Sequence, residues 1–482
     1  MQLQALNETF LNEPRRSDPI RIVQFGEGVF LRGFVDWIFE KLRQGGFWQG
    51  GIAVVQPIAQ GRVAELARAG GLYTLLLRGI EQREVRTEQT IITNLQAFID
   101  PYTDFKAFLA LAELDSLQVV VSNTTEAGIA YLPDCRLSDQ PAASYPAKLT
   151  QFLYQRYQKY QGDPAYGLTI LPCELIENNG RNLKKYVLRY AADWQLSEDF
   201  SVWLNDSCRF CNTLVDRIVT GYPQLEIDDL QQKTGYQDSF FDTAEFFHLW
   251  VIEGETDPAL PFEKSGLNVI WTDKLSKYRD RKVAILNGAH TMTFAVALLC
   301  GRPTVRETLE DPDLAAYLRH GLFHEIIPVL PMNRPEAESY AAAVLERFAN
   351  PFIEHQWTSI ALNAVSKYKV RVLPSLLAYV DQFKAVPRYL AFSFAALILY
   401  YRGNEKFKPQ DGDVETGTFA QAWQQFTDRE VDLQGMTVSL LSQNQLWDAD
   451  LTQIPGLAAA VAEALKQQLN QGMREAVRQL DH

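Results

Sequence analysis

Cysteine is scarce. Five residues, Cys135, Cys173, Cys208, Cys211 and Cys300, are scattered along 482 positions, and an odd, dispersed set suits a reducing compartment rather than a disulfide framework. Basic residues are outnumbered, 46 Lys and Arg against 59 Asp and Glu for a formal charge of −13. That balance excludes a general affinity for nucleic acid or anionic membrane, which needs concentrated positive charge. Met1 to Pro19 has no apolar core and carries Glu8, Glu13, Arg15 and Arg16, so neither a signal peptide nor a transit sequence is expected. Long apolar runs are missing too, and even AFSFAALILYY at Ala391 to Tyr401 is too short for a membrane span. There is no Walker A loop, no GxSxG elbow and no HExxH pair, which removes the commonest signatures of nucleotide hydrolysis, serine hydrolysis and zinc proteolysis. The expectation is a cytoplasmic protein with no nucleic-acid or membrane partner; monomer and homo-oligomer stay equally open.

Packing material, by contrast, is plentiful: 47% of residues are hydrophobic, with 27 Phe, 20 Tyr and 9 Trp. A chain of this length outgrows one hydrophobic core, so two domains are expected. The first strong pattern is RIVQF at Arg21 to Phe25, then GEGVFLRG, then the apolar-periodic FVDWIFEKLRQGG, followed by IAVVQP at Ile52 to Pro57. Strand, glycine turn, helix and strand in that order predict a βαβ unit. Further strands are expected at Tyr73 to Arg78, Thr90 to Leu95, Leu117 to Asn123 and Leu168 to Glu174, with helical YPAKLTQFLYQRYQKY before the last. Such alternation points to an α/β fold, a Rossmann-type parallel sheet covered on both faces. Helical periodicity dominates after Tyr278, so the expected division is a dinucleotide-binding domain over 1–278 and a largely α-helical domain over 279–482.

Gly26-Glu27-Gly28 stands where a dinucleotide fold needs glycine, letting backbone N–H groups approach a pyrophosphate at a helix N-terminus. The third glycine, expected at Leu31, is displaced to Gly33, and the second strand ends in Val55, Gln56 and Pro57 without an acid. An ordinary strand-to-helix turn fits the two glycines as well as a cofactor does, and the choice between NAD and NADP stays open on these grounds.

The second constellation is RKVAILNGAHT, which carries Lys282, Asn287 and His290. At helical spacing the three fall within an arc of ~140° and can share a face. Oxidising an alcohol needs a base for the hydroxyl proton and donors that hold the developing oxyanion. Lys282 suits the base. Asn287 and His290 suit the donors, and Gly288 would leave room for nicotinamide or substrate. An exposed lysine, an Asn-Gly turn and a core histidine would give the same spacing. His320 and His324 lack a third metal ligand in sequence, and Cys208 and Cys211 lack a partner CxxC, so no metal is expected at either. Asp216 and Arg217 form a charge pair inside an apolar run, which demands a partner or a function. Lys367, Lys369 and Arg371, at alternating positions, make a basic patch able to hold a carboxylate.

Several of these segments together resemble the mannitol dehydrogenase family, the long-chain polyol-specific dehydrogenases, over nearly the whole chain. The likeness rests on FGEGVFLRGF, TTEAG (Thr124 to Gly128), PCELIENNG (Pro172 to Gly180), NTLVDRI (Asn212 to Ile218), LWVIEG (Leu249 to Gly254), KVAILNGAH and RFANPFIEH (Arg347 to His355). It implies a metal-independent dehydrogenase with NAD as cofactor, a Rossmann-type N-terminal domain and a helical C-terminal domain. It further implies catalysis by Lys282, Asn287 and His290, and cofactor contacts from Gly26, Glu27, Gly28, Val29, Phe30, Leu31, Arg32, Asn123, Thr125 and Asp216. Substrate contacts are expected from Asp216, Glu174, His355, Lys367, Lys369 and Arg371. Where polyol-specific members read CDN, this chain reads Cys173, Glu174 and Leu175, and the acid that selects NAD in some members is replaced by Gln56. Together with the likeness of SYPAKLT, LTQIPGL and GMREAVR to members that act on sugar acids, this implies a small-molecule sugar acid as substrate. A fructuronate reductase forming mannonate, a neutral polyol dehydrogenase and a nucleotide-sensing protein on the same fold are the alternatives.

Overall fold

The structure is a computed structural model and describes residues 3–81, 84–125, 127–403, 408–409, 413–427 and 432–481. It divides into two compact units, one of Met1–Gly79 and Val85–Leu275, the other of Ile80–Glu84 and Ser276–His482.

The first unit is built on six parallel strands: β1 (Ile20–Phe25), β2 (Gly51–Val55), β3 (Leu95–Ile99), β4 (Val119–Ser122), β5 (Thr169–Pro172) and β6 (Arg209–Phe210). They lie side by side in the order β3-β2-β1-β4-β5-β6. Successive side chains of a strand point to opposite faces, and here the alternation feeds two separate cores. Ile22, Val54 and Val121 enter one, and Val23, Val55 and Val120 enter the other, so both faces are covered and the strands are predominantly apolar.

Two of the expected strands do not join this sheet. Tyr73–Glu81 and Glu84–Ile92 pair with each other, and Tyr73–Glu81 pairs in parallel with Asp242–Ala244, in a separate three-stranded sheet. The reason is charge: Glu84 to Gln89 are exposed, and a charge-rich strand cannot occupy a sheet buried on both faces. The expected strand at Thr90 to Leu95 therefore splits, its first part ending Glu84–Ile92 and its last residue opening β3.

Helix α1 covers 29–44 and ends at the Gly45-Gly46 pair, Gly46 having φ of +72°. A π-helical step at Arg32–Asp36 interrupts it. A mixed sheet follows, formed by β7 (Thr213–Asp216), β8 (Leu249–Glu253) and β9 (Val269–Thr272), with β7 antiparallel and β9 parallel to β8.

The second unit is helical. Its principal members are α2 (Leu275–Leu299), α3 (Arg334–Phe348), α4 (Ala364–Arg371), α5 (Arg388–Tyr400) and α6 (Leu457–Gln471). The apolar run at Ala391 to Tyr401 forms most of α5, whose Phe392, Phe394 and Leu397 are fully buried, packed against α2 and α6. Length and composition would let α2 cross a membrane, yet 67% of its apolar window is buried within the protein, as a core helix requires.

Candidate functional site

In the first unit, strand order 3-2-1-4-5-6 reverses direction between β1 and β4, and ligands of such sheets bind at the carboxyl ends of the strands flanking that reversal. The sequence places Gly26-Glu27-Gly28 after β1 and Asn123 to Thr125 after β4. Their backbones meet. The Asn123 N–H donates to the Phe25 carbonyl at 3.2 Å, and a Cβ on Gly26, whose φ is +129°, would stand 3.2 Å from the Asn123 oxygen and 3.0 Å from Leu31 Cδ1. Gly28 is exposed and caps α1 with no side-chain hydrogen bond; a Cβ there would meet nothing within 4 Å. An open glycine at an uncapped helix N-terminus, with first-turn N–H groups facing outward, is a cradle that fits a pyrophosphate.

Side chains of the turn have divergent surroundings. Val29 is exposed, Phe30 half-buried and stacked on Phe34, and Leu31 buried. Glu27 accepts the backbone N–H of Arg62 at 2.9 Å, tying the turn to the loop after β2. Arg32 points away from the turn: it is 4% exposed, donates to the Phe240 carbonyl at 2.6 Å and lies over the rings of Tyr73 and Phe240. Only its backbone is left near the cradle. Thr125 is exposed with φ of +78°, and Glu126 of TTEAG lies outside the described residues. Gln56, where an acid would meet the ribose, is buried and donates to the Ala59 carbonyl at 3.2 Å.

Glu174 is also turned inward. Its carboxylate accepts from Ser122 Oγ (3.0 Å), Thr124 N (3.0 Å) and Thr124 Oγ1 (2.9 Å), and burial raises its proton affinity above the usual carboxylate range against those bonds. It locks the loop after β4 to the end of β5 instead of offering free oxygens to substrate. Asp216 ends β7 and is buried. Arg217 beside it donates to the carbonyls of Glu245 (2.9 Å) and Gly33 (2.8 Å), so the buried guanidinium finds its partners in main-chain oxygens.

In the second unit, Lys282 opens and Asn287 closes a π-helical step within α2. The i→i+5 pairing of a π turn stacks residue i+5 over residue i, closer than an α-helix of the same sequence would hold them. Both side chains are half-buried. His290, one turn on, is 7% exposed, and its Nε2 is buried with no hydrogen-bond partner among the described residues. Its ring stacks on Phe348 of α3, with centroids 4.2 Å apart, and meets His355 edge-on at 5.1 Å. Burial, reinforced by His355, Arg347, Arg371 and Lys367, holds the imidazole well below its ordinary titration range and therefore neutral.

The basic patch separates. Lys367 and Arg371 are four residues apart on α4 and share a face, whereas Lys369 points elsewhere and pairs with Asp448 at 2.8 Å. Periodicity of two in sequence became periodicity of 3.6 in structure, which removes Lys369 from the group. Gly288 also serves a different neighbour than expected, since a Cβ there would stand 3.2 Å from the Arg371 carbonyl; it lets α2 and α4 approach. Arg347 and Phe348 were within the RFANPFIEH motif, but nothing in their spacing singled them out beside His355.

His320 bonds Tyr389 through Nδ1 at 2.8 Å, and among the described residues no three His, Cys, Asp or Glu gather as metal ligands. Burial pushes the thiols of Cys208 and Cys211 up to about 12 and about 11, which leaves them unreactive near neutrality.

Known proteins resemble this chain across both units. Residues 20–262 match the mannitol dehydrogenase Rossmann domain and 274–469 the mannitol dehydrogenase C-terminal domain. An altronate oxidoreductase of Klebsiella pneumoniae (strain 342) is 46% identical over 97% of this chain and 98% of its own. Another from Pectobacterium atrosepticum is 45% identical over 98% and 99%. Among solved structures, a substrate-free D-sorbitol dehydrogenase superposes with a TM-score of 0.78 at 22% identity, covering 95% of each chain. A Pseudomonas fluorescens mannitol 2-dehydrogenase, in complex with NAD and D-mannitol, gives 0.67 at 21%, covering 96% of this chain and 94% of that one. These two share the fold. The paired domain matches and the full-length relatives, on a sheet and helical unit of the expected kind, establish that the chain belongs to the mannitol dehydrogenase family.

Proposed function

We propose that the protein is an oxidoreductase that interconverts altronate and tagaturonate with NAD(H), with no metal in the chemistry. The single observation that carries the sugar-acid reading is the buried, neutral His290, its Nε2 unpartnered, beside Arg347, His355, Lys367 and Arg371. A neutral polyol has no use for three cationic side chains, Arg347, Lys367 and Arg371, whereas a carboxylate gains charge-assisted hydrogen bonds from them. The full-length likeness to altronate oxidoreductases supports the same substrate.

The first turn of α1 from Gly28, with Gly26 and Asn123 behind it, is suited to the cofactor's pyrophosphate. When bound, NADH supplies the hydride that reaches the ketone carbon. Lys282 gives its proton to the ketone oxygen during reduction and takes the hydroxyl proton during oxidation, so that hydride and proton together complete the alcohol. Asn287 and neutral His290 donate hydrogen bonds to that oxygen as negative charge develops. Lys367 and Arg371 hold the carboxylate, and Asp216 accepts from substrate or cofactor hydroxyls. NAD is favoured over NADP by the solved fold relative that binds it. We place the reaction in the cytoplasm, in keeping with the five free cysteines.

NADH oxidation should be measured side by side with tagaturonate, fructuronate and fructose. Tagaturonate is expected to give the highest kcat/KM. A preference for fructuronate would replace the substrate with the mannonate-forming one, a preference for fructose would overturn the sugar-acid reading, and NADH binding without turnover of any of them would make the protein a nucleotide sensor.

A further inference from the structure

The π step at Arg32–Asp36 in α1 interrupts the regular helical ladder, and such a step leaves main-chain carbonyls in need of other donors. Three carbonyls of the step are taken by side chains from elsewhere in the first unit. The Tyr73 hydroxyl donates to Arg32 at 2.9 Å, Asn94 Nδ2 to Asp36 at 2.8 Å, and Arg217 Nη1 to Gly33 at 2.8 Å.

Arg217 does more than fill a vacancy in the ladder. It also donates through Nε to the Glu245 carbonyl, and its guanidinium lies 4.1 Å over the ring of Trp37, the residue that follows the step. Burial of this group at 6% exposure lowers its proton affinity to about 9, a penalty that an apolar side chain of similar volume would avoid. The residues after it run along the first turns of α1. A Cβ on Gly33 would stand 2.8 Å from Val219 Cγ1, and one on Gly221 would stand 3.4 Å from Val29 Cγ1. One short segment, 216–221, thus lies against both the π step and the residue beside Gly28, and it begins at Asp216.

We propose that Arg217 is a positioning residue of the dinucleotide site: by holding the Gly33 carbonyl it fixes the direction in which α1 presents its first-turn N–H groups to the pyrophosphate. This rests on reading Gly26 to Leu31 as the NAD(H) cradle. Without the guanidinium, the Gly33 carbonyl must either stay buried without a donor or recover one by closing the step into regular α-helix. Closing the step changes the residues per turn, and so rotates the first turn of α1 about its axis relative to the end of β1.

The test is fluorescence titration of NADH on the full chain, with thermal unfolding in parallel, for wild type, Arg217→Lys, Arg217→Met and Arg156→Met. Arg156 is an equally buried strut of the same unit that donates to the carbonyls of Ala112, Leu114, Leu117 and Tyr166, none of them on α1. Arg217→Met should weaken NADH binding about tenfold or more, the loss of a charged donor to a buried carbonyl. Arg217→Lys should weaken it by about threefold, because one ammonium cannot span both carbonyls. Arg156→Met should lower the melting temperature while leaving the NADH constant within about twofold of wild type. An NADH constant for Arg217→Lys and any folded Arg217→Met equal to wild type overturns the proposal, as does an equal weakening by Arg156→Met. Wild-type protein that binds no NADH overturns the cofactor reading itself.

Discussion

The imidazole of His290 lies flat on the ring of Phe348, centroids 4.2 Å apart and planes 16° from parallel. That contact, made between α2 and α3, fixes the ring while its Nε2 stays buried and unpartnered. In the proposed mechanism this neutral ring donates a hydrogen bond, and the proton is carried by Lys282, two turns earlier on α2.

Lys282→Ala is expected to reduce kcat by about 10²- to 10⁴-fold, the usual contribution of a positioned general acid or base. Circular dichroism and melting temperature should stay close to wild type, since Lys282 is half-buried at a helix surface. Near-normal turnover by a folded variant would remove the lysine from the mechanism.

The proposed carboxylate contact lies on one of two faces of α4. Arg371→Leu should raise KM for tagaturonate by about 10- to 100-fold with a smaller effect on kcat, the equivalent of one charge-assisted hydrogen bond. Lys369→Ala, on the face where Lys369 meets Asp448, should change KM by less than about twofold, as a partly exposed ion pair contributes little. Steady-state kinetics of the pair decides the matter, and equal effects from both would dissolve the distinction.

Gly33 has no room for a methyl group. Gly33→Ala places a Cβ 2.8 Å from Val219 Cγ1, and overpacking of this kind costs about 1–3 kcal/mol. Denaturant unfolding should show that loss, and Gly33→Ala with Val219→Ala should recover part of it. A double variant no more stable than the sum of the single losses would show that the two residues do not meet.

Asp36 gives stability a pH dependence of definite sign. Burial raises Asp36 to about 7, and Asp242 likewise to about 7, against about 3.9 in an unfolded chain. Between those values the folded state binds more protons, so their contribution to stability is lost as pH rises toward 7. His248 acts oppositely: burial lowers it to about 4, so the unfolded chain binds more protons below about 6.5 and stability falls as pH falls. Asp36→Asn keeps a polar group 2.9 Å from the Tyr73 hydroxyl, but has no proton to lose. Its melting temperature should fall less steeply than that of wild type between about pH 5 and pH 8; parallel curves would show that Asp36 does not titrate there.

Much of this protein was legible in its sequence where the information is local. RIVQF, the glycine turn and FVDWIFEKLRQGG specify strand, turn and helix because apolar period and φ freedom act over a few residues, and the second domain announced itself through helical periodicity. Lys282, Asn287 and His290 were close enough along one helix for spacing to suggest a shared face. Only tertiary structure decided what each face meets. It drew the charged strand at Glu84 into a separate sheet, turned Arg32 and Glu174 inward, gave Lys369 to Asp448 and set Gly288 against the Arg371 carbonyl. It also placed π steps in α1 and α2, which no periodicity of the sequence marks. Periodicity states which side of an element is apolar; the partner that covers it lies tens to hundreds of residues away and is chosen by packing and by the need to satisfy every buried polar group.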